Sequence, residues 1–445
     1  MSGLHAKPQE RPKPVIARFD DLFTVNGIPF NADNPHLLLH IADAHSDVEP
    51  ATALPGKALN IRPPLRFEGA EHTAIGDNTL LRFSENVEPV RAQNLPLHLP
   101  NGLALTYGQV VALAGDFYGV VDRPINEGAT PADRLNRFNA AFDSLAVLPA
   151  SRAEATQILA VMQKEIDAVK QAIKDGKSPH EAYDALGDTL SEEWNKITGG
   201  GSFVSALFPL GRYLKLAANN ADHFGEWARL AYIAGHTAAL QTAVAARASH
   251  DEQQLKRAYA MNAFADHFLT DLFSAGHLRV PRKEMAAVVT PSDLGSLVTR
   301  FMHDEDSKFG LKVRNAHGDQ WRAYGDKRYF EASDADNRIQ VNLAVQASAD
   351  EVFAAYLSGN VPAPSTFAAL QRLPDLTAVL NLSNNVAPLF RVEGGKVLRR
   401  KDVNNLNDTA TVDDWWGWST YLLLKDYHPD ANSSFNVIVM LILLD

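Results

Sequence analysis

The sequence predicts a mainly α-helical protein: a helical bundle followed by a smaller mixed α/β or β-containing C-terminal region. Between about Thr106 and Phe309, apolar residues recur three and four places apart in segment after segment, which gathers them on one helical face. Beyond Leu311 the texture shifts towards alternation broken by turn dipeptides, as in a hairpin. No self-similarity at a fixed period is visible, which argues against repeat architectures.

Taken in order, residues 1 to 70 are rich in Pro, Asn and Asp with short apolar runs, and read as an irregular N-terminal extension. The body of the protein is expected over 71–310, with long helical segments through 127–200. Within it, TYGQVVALAGDFYGVV begins a helical pattern at Thr106, and ASRAEATQILAVMQKEIDAVKQAIKDG is a long amphipathic helix with Gly176 as its C-cap. After the flexible Gly199 to Ser202, helical spacing returns over Phe208 to Asn219, Phe224 to Ala246, Asp251 to Phe273 and Pro291 to Phe309. The 311–445 region opens with a hairpin whose turns fall at His317-Gly318-Asp319 and Gly325-Asp326. It continues through a helix at Ala347 to Leu357, and the apolar run Phe435 to Leu444 reads as a terminal buried strand, with an exposed membrane-touching patch as the alternative.

With 42 Lys and Arg against 53 Asp and Glu, the formal charge is -11. That excess argues against a nucleic-acid binder and against electrostatic adhesion to anionic lipid. There are no cysteines, so a metal would be held by His, carboxylate or backbone groups. The start, MSGLHAKPQERPKPV, lacks an apolar h-region, and no apolar run approaches the eighteen or so residues of a membrane span. A protein without a standard signal peptide and without a transmembrane segment is expected.

The stretch NAFADHFLTDLFSAGH carries the strongest chemical signal. His267 and Asp271 sit one turn apart on one helical face, and His277 follows after a break at Ser274-Ala275-Gly276. Imidazole and carboxylate together suit zinc, and Phe264, Phe268, Leu269, Leu272 and Phe273 would supply a dry surround. Other candidate ligands lie on both sides: His72 in GAEHTAIGD, Asp116 in ALAGDFYG behind the close-approach residue Gly115, His223 in NNADHFGEWA, and His303 before Asp304, Glu305 and Asp306. Taken singly, each has a structural reading as a cap, a helix-start residue or solvated surface.

The order His72, Asp116, His223, His267, Asp271, His277, His303 and an acid resembles the zinc-dependent phospholipase C family, in particular its longer bacterial and fungal branch. The His-x3-Asp-x5-His spacing matches without a gap, and LAGDFYG, ADHFGEWA and MHDEDSKFGL extend the likeness over roughly residues 70 to 330. The resemblance implies the helical fold shared with single-strand-specific nucleases, two or three Zn2+ ions, and hydrolysis of the glycerol-side phosphodiester of phospholipids, phosphatidylcholine foremost, by a metal-activated water. It assigns Asp116, His223, His267 and Asp271 to one zinc and His277, His303 and a nearby acid to a second, for which the spacing favours Asp306 over Asp304 and Glu305. Asp271 would bridge to a third ion held also by His72. Asp116 is the candidate general base or water-orienting group.

The chain departs from the family where a mature amino-terminal ligand would lie, since about seventy residues precede His72; His40, Asp43, His45 and Asp47 are alternative donors or a plain surface loop. A choline head group would want aromatic faces. Phe117, Tyr118, Phe224, Trp227, Trp321 and Tyr324 are nearby in sequence, but aromatics on helical faces are commonly core. Trp415, Trp416 and Trp418 suit either a lipid interface or terminal packing. The expected partners are a phospholipid substrate and a peripherally contacted membrane surface, with no nucleic acid. The alternatives are a zinc nuclease of the same fold and a non-enzymatic helical interaction protein.

Overall fold

The computed structural model describes residues 69–424 apart from 187–188, 202–209, 290–291, 381–384 and 416, together with a two-residue pairing of Thr24–Val25 with Ile28–Pro29. Most of the N-terminal extension, the cluster from His40 to Asp47 and the apolar tail lie outside the described residues.

The apolar stripes fold as helices, in chain order α1 (Gly69–Asp77), α2 (Tyr107–Leu113), α3 (Pro131–Ala146), α4 (Pro149–Lys174), α5 (Pro179–Leu186), α6 (Thr189–Ile197) and α7 (Arg212–Ala218). They continue as α8 (Gly225–Ser249), α9 (Glu252–Asp271), α10 (Ala275–Leu278), α11 (Arg282–Val288), α12 (Ser292–Phe309), α13 (Ala335–Ser358), α14 (Ala368–Arg372) and α15 (Gly417–Leu424). The result is a mainly helical bundle with small antiparallel sheets.

At its centre α8 and α9 form a helical hairpin. His250 turns the corner in the left-handed conformation (φ 54°), and the Asp251 side chain accepts from the Gln253 N–H to start α9. Both helices are rich in buried alanine, including Ala228, Ala231, Ala239, Ala258 and Ala263, so their backbones approach closely. Phe264 then fills the outer groove edge-on to Phe138 and Phe142 of α3, with centroids 5.6 and 5.9 Å apart. The remaining sides of this pair are covered by α2, α3 and α13, and α1 lies on α2. The whole of α9 from Ala258 to Asp271 is buried, polar residues included, which is why its polar groups must find partners inside the protein.

Several expectations are refined. The helix starting at Thr106 has its capping box with Gln109 but ends at Leu113, because Gly115 turns left-handed (φ 59°). The C-terminal helix starts at Ala335, twelve residues before the expected Ala347; Ile339 and Leu343 face outward there and blur the stripe. The break after α9 falls at Leu272 to Ser274, and Ala275-Gly276 begin the short α10. Gly176 does end α4, with φ 69° and the Lys177 N–H reaching back to the Ala172 carbonyl.

The hairpin Leu311–Arg314 with Gln320–Ala323 forms with Val313 opposite Trp321. The main core continues across residue 310 through Leu311, Val313, Trp321 and α13. A smaller core gathers Val298 and Met302 of α12 with a three-stranded antiparallel sheet, Thr411–Val412 beside Lys396–Arg400 beside Phe390–Glu393. Arg400 of that sheet is fully buried and pairs two-pronged with Glu305 at 2.9 and 2.6 Å. Trp415 packs on Phe390 and donates to the Val397 carbonyl, so this indole belongs to the core.

Candidate metal centre

Three groups of donors converge between α1, the residues after α2, the start of α8, the end of α9 and α12. They are His72 with His267 and Asp271, Asp116 with His223 and His267, and His277 with His303 and Asp326, each with its ligand atoms within 4.8 Å of one another. Every member is buried.

The Asp271 carboxylate is the hub. It stands 2.8 Å from His223 Nδ1, 3.7 Å from His267 Nε2, 3.8 Å from His72 Nε2 and 3.4 Å from His277 Nδ1. The one-turn offset of His267 and Asp271 produces this directly, since both leave α9 towards the same side. His223 arrives from a single 3-10 turn, Ala221–His223, just before α8. That turn is tied down by the partly buried Asp222, which accepts from the backbone N–H groups of Ile125 and Asn126.

The imidazoles are oriented as metal ligands are. The His267 Nδ1–H donates to the Val111 carbonyl (2.9 Å), which leaves the Nε2 lone pair facing His223 and Asp271. His72 Nδ1–H meets Thr270 Oγ1 at 3.0 Å; that hydroxyl already donates to the Asp266 and His267 carbonyls, so it acts as acceptor and His72 presents Nε2 to Asp271. The His277 Nδ1–H donates to the His223 carbonyl at 3.0 Å, and its Nε2 looks towards Asp326 at 3.9 Å. His303 holds Asp304 at Nδ1 and Asp326 at Nε2, both at 2.9 Å.

Metal-ion geometry fits this donor set. His223 Nδ1, His267 Nε2 and Asp271 Oδ2 form a triangle with sides of 3.2, 2.8 and 3.7 Å. Two ligands at tetrahedral angles about an ion, each roughly 2.0–2.1 Å from it, stand about 3.3 Å apart. The backbone also makes room: a Cβ on Gly115 would lie 2.4 Å from His267 Nε2 and 2.8 Å from His223 Cε1, and one on Gly276 would lie 2.6 Å from His303 Cδ2. Only glycine permits these approaches.

Electrostatics separates the two ends. Burial and the neighbouring His267 push His72 well down, which favours the neutral imidazole, the form able to ligate a metal. Burial also disfavours charge on His303, but Asp326 and Asp304 outweigh it and push that group up to about 9. Asp326 in turn is held well below the usual carboxylate range: burial opposes ionisation, and His303 and His277 overcome it.

Seven of the eight expected ligands are therefore brought together: His72, Asp116, His223, His267, Asp271, His277 and His303. The eighth, Asp306, is not. Its carboxylate receives two hydrogen bonds from the buried Arg279, at 3.0 and 2.6 Å. Glu305 is likewise taken by Arg400. Asp326 occupies that place instead, delivered by the turn after the hairpin; its only trace in the sequence is the Gly325-Asp326 turn dipeptide. The grouping also differs from the expected one, because His267 groups with His72 as well as with His223.

The nearby aromatics do not assemble into a cage. Phe224 stacks on His277 at 4.6 Å, Phe117 stacks on Tyr213, and Trp321 is buried and donates to Asn337. Trp227 already carries Lys283 over its ring at 3.9 Å. A small cleft lined by Gly115, Tyr118, Arg123, Asn219 and His223 borders the first triads. No helix among the described residues is long and apolar enough to cross a membrane. No family model, curated protein or solved structure matches this chain.

Proposed function

We propose that the chain is a zinc-dependent phosphodiesterase of the phospholipase C type, which hydrolyses the glycerol-side phosphodiester of phosphatidylcholine to diacylglycerol and a phosphorylated head group. The observation that carries this reading is the buried Asp271 carboxylate with four imidazoles within 3.8 Å of it. Its continuation through His277 to His303 and Asp326 makes a strip of donors wide enough for more than one ion. Zinc bound there supplies Lewis-acid polarisation of phosphoryl oxygens and lowers the pKa of water.

The remaining roles fall to the chain's own groups. Asp116, buried beside His223 and His267, orients the attacking water and takes its proton. Arg123 lines the cleft beside His223 and offers its guanidinium to a phosphodiester oxygen. The buried aromatic shell of Phe224 and Phe268 keeps bulk water from the donors, which strengthens every charge interaction among them. A formal charge of -11 favours a zwitterionic lipid over a nucleic acid as the phosphodiester.

Metal content of the purified protein, with release of phosphocholine from phosphatidylcholine vesicles measured against cleavage of single-stranded DNA, tests this. Zinc should be present, lipid should be the better substrate, and Asp271→Asn should lower both zinc affinity and turnover by at least about a hundredfold. Protein that binds no zinc, or that prefers DNA, overturns the assignment.

A further inference from the structure

We propose that Glu71 is a positioning residue that sets Asp326 against His277 and His303, so that α1 controls both ends of the donor strip; this rests on the metal reading above. Glu71 and His72 are consecutive on α1, and both side chains are fully buried. Neighbours on a helix point in different directions. His72 turns to Asp271 and His267, whereas the Glu71 carboxylate turns to the loop that follows the hairpin.

There it acts as a two-pronged acceptor. Oε2 takes the Lys327 N–H at 3.1 Å and Oε1 takes the Tyr329 N–H at 3.0 Å. Asp326 is the residue immediately before this clamp. Lys327 itself is in the left-handed region (φ 71°), which a residue with a Cβ adopts only when its surroundings impose it. The clamp is such an imposition, and the preceding residue is fixed as well, since Gly325 donates to the Ser307 carbonyl and has no space for a Cβ against Ser307 Oγ. At the side chain, Ser274 Oγ donates to Asp326 Oδ1 at 2.8 Å, which leaves Oδ2 for His303 and His277.

The clamp uses both oxygens of the Glu71 carboxyl group as acceptors, although burial and the nearby Asp326 push its pKa well up. A glutamine has one acceptor, and its amide would face a second donor. Loss of either prong frees Lys327 to leave the left-handed region and carries Asp326 off its histidines. Residues that orient ligands from behind are typically worth about 10–100-fold in metal affinity.

The test is a cobalt(II) titration of the full-length protein, followed by visible absorption and calorimetry. Glu71→Gln should lose one tight equivalent, the same one lost in Asp326→Asn, while the equivalents bound around Asp271 keep their affinity. Adding Lys327→Gly to Glu71→Gln should restore most of the lost affinity, because glycine adopts the positive φ without strain and no longer needs the clamp to impose it. The double variant, relieved of backbone strain, is also the second measurement if the single one folds poorly. Full binding by Glu71→Gln, equal weakening of all equivalents, or no recovery in the double variant overturns the proposal and leaves the metal reading standing. Wild-type protein that binds no cobalt removes both.

Discussion

Replacing Gly115 by alanine asks how far the donor strip depends on one missing methyl group. The new Cβ would lie 2.4 Å from His267 Nε2 and 2.3 Å from its Cδ2, where ordinary contact begins near 3.4 Å. The ring must therefore retreat by roughly 1 Å, about half of a zinc–nitrogen bond of roughly 2.0–2.1 Å. Displacing a direct ligand should lower zinc affinity by at least about a hundredfold. At saturating zinc that removes about 3 kcal/mol of metal-linked stability. The backbone adds a separate penalty of roughly 1–2 kcal/mol, since alanine must take a φ of 59°.

Gly176→Ala separates these effects. Its φ is 69° and nothing lies within 4 Å of the added Cβ, so it carries the conformational penalty without the clash. Urea unfolding with a chelator should show similar losses in the two variants, because His267 can then turn aside. With zinc, Gly115→Ala should fall behind by the further ~3 kcal/mol. Equal stability of the two variants in zinc would refute the reasoning.

Two further perturbations distinguish structural from ligating carboxylates. Asp306→Asn breaks the buried ion pair with Arg279 and should cost about 3–5 kcal/mol in stability with the metal count unchanged, whereas Asp326→Asn should remove one metal equivalent; urea melts beside metal analysis would expose a reversed pattern. Asp334 supplies a pH test: burial outweighs the Tyr324 N–H and Asn337 contacts and pushes its carboxyl up to about 7. The unfolded chain releases that proton near pH 4, so the folded form holds more protons in between and stability falls as pH rises from about 4 to 7, by at most roughly 4 kcal/mol from this group. Asp334→Asn should flatten that slope in unfolding measured across the interval, and an unchanged slope would remove the assignment.

What could be recognised from the chain alone was whatever depends on short-range periodicity. His267 and Asp271 share a face because four residues make about one turn, and His277 was placed with them because a helix break lies between. Gly115 could be read as a close-approach residue, and the structure puts it against His267 and His223. The change of texture at Leu311 foretold the hairpin for the same reason, since a period of two is local. Ambiguity set in where several equivalent side chains competed. After His303 the chain offers Asp304, Glu305 and Asp306, and nothing within that run says that Arg400 and Arg279, 95 and 27 residues from their partners, claim the last two.

The sequence by itself thus determined a helical bundle and seven of the donors that gather in it, because helical spacing and side-chain chemistry are properties of neighbouring residues. Only the tertiary structure decided that Asp326 completes the far triad, that Glu71 grips the loop carrying it, and that Asp271 stands among four imidazoles. Those facts depend on which distant segments bury one another's charges, and in a low-dielectric interior each buried charge must be met by whichever partner the packing brings within reach.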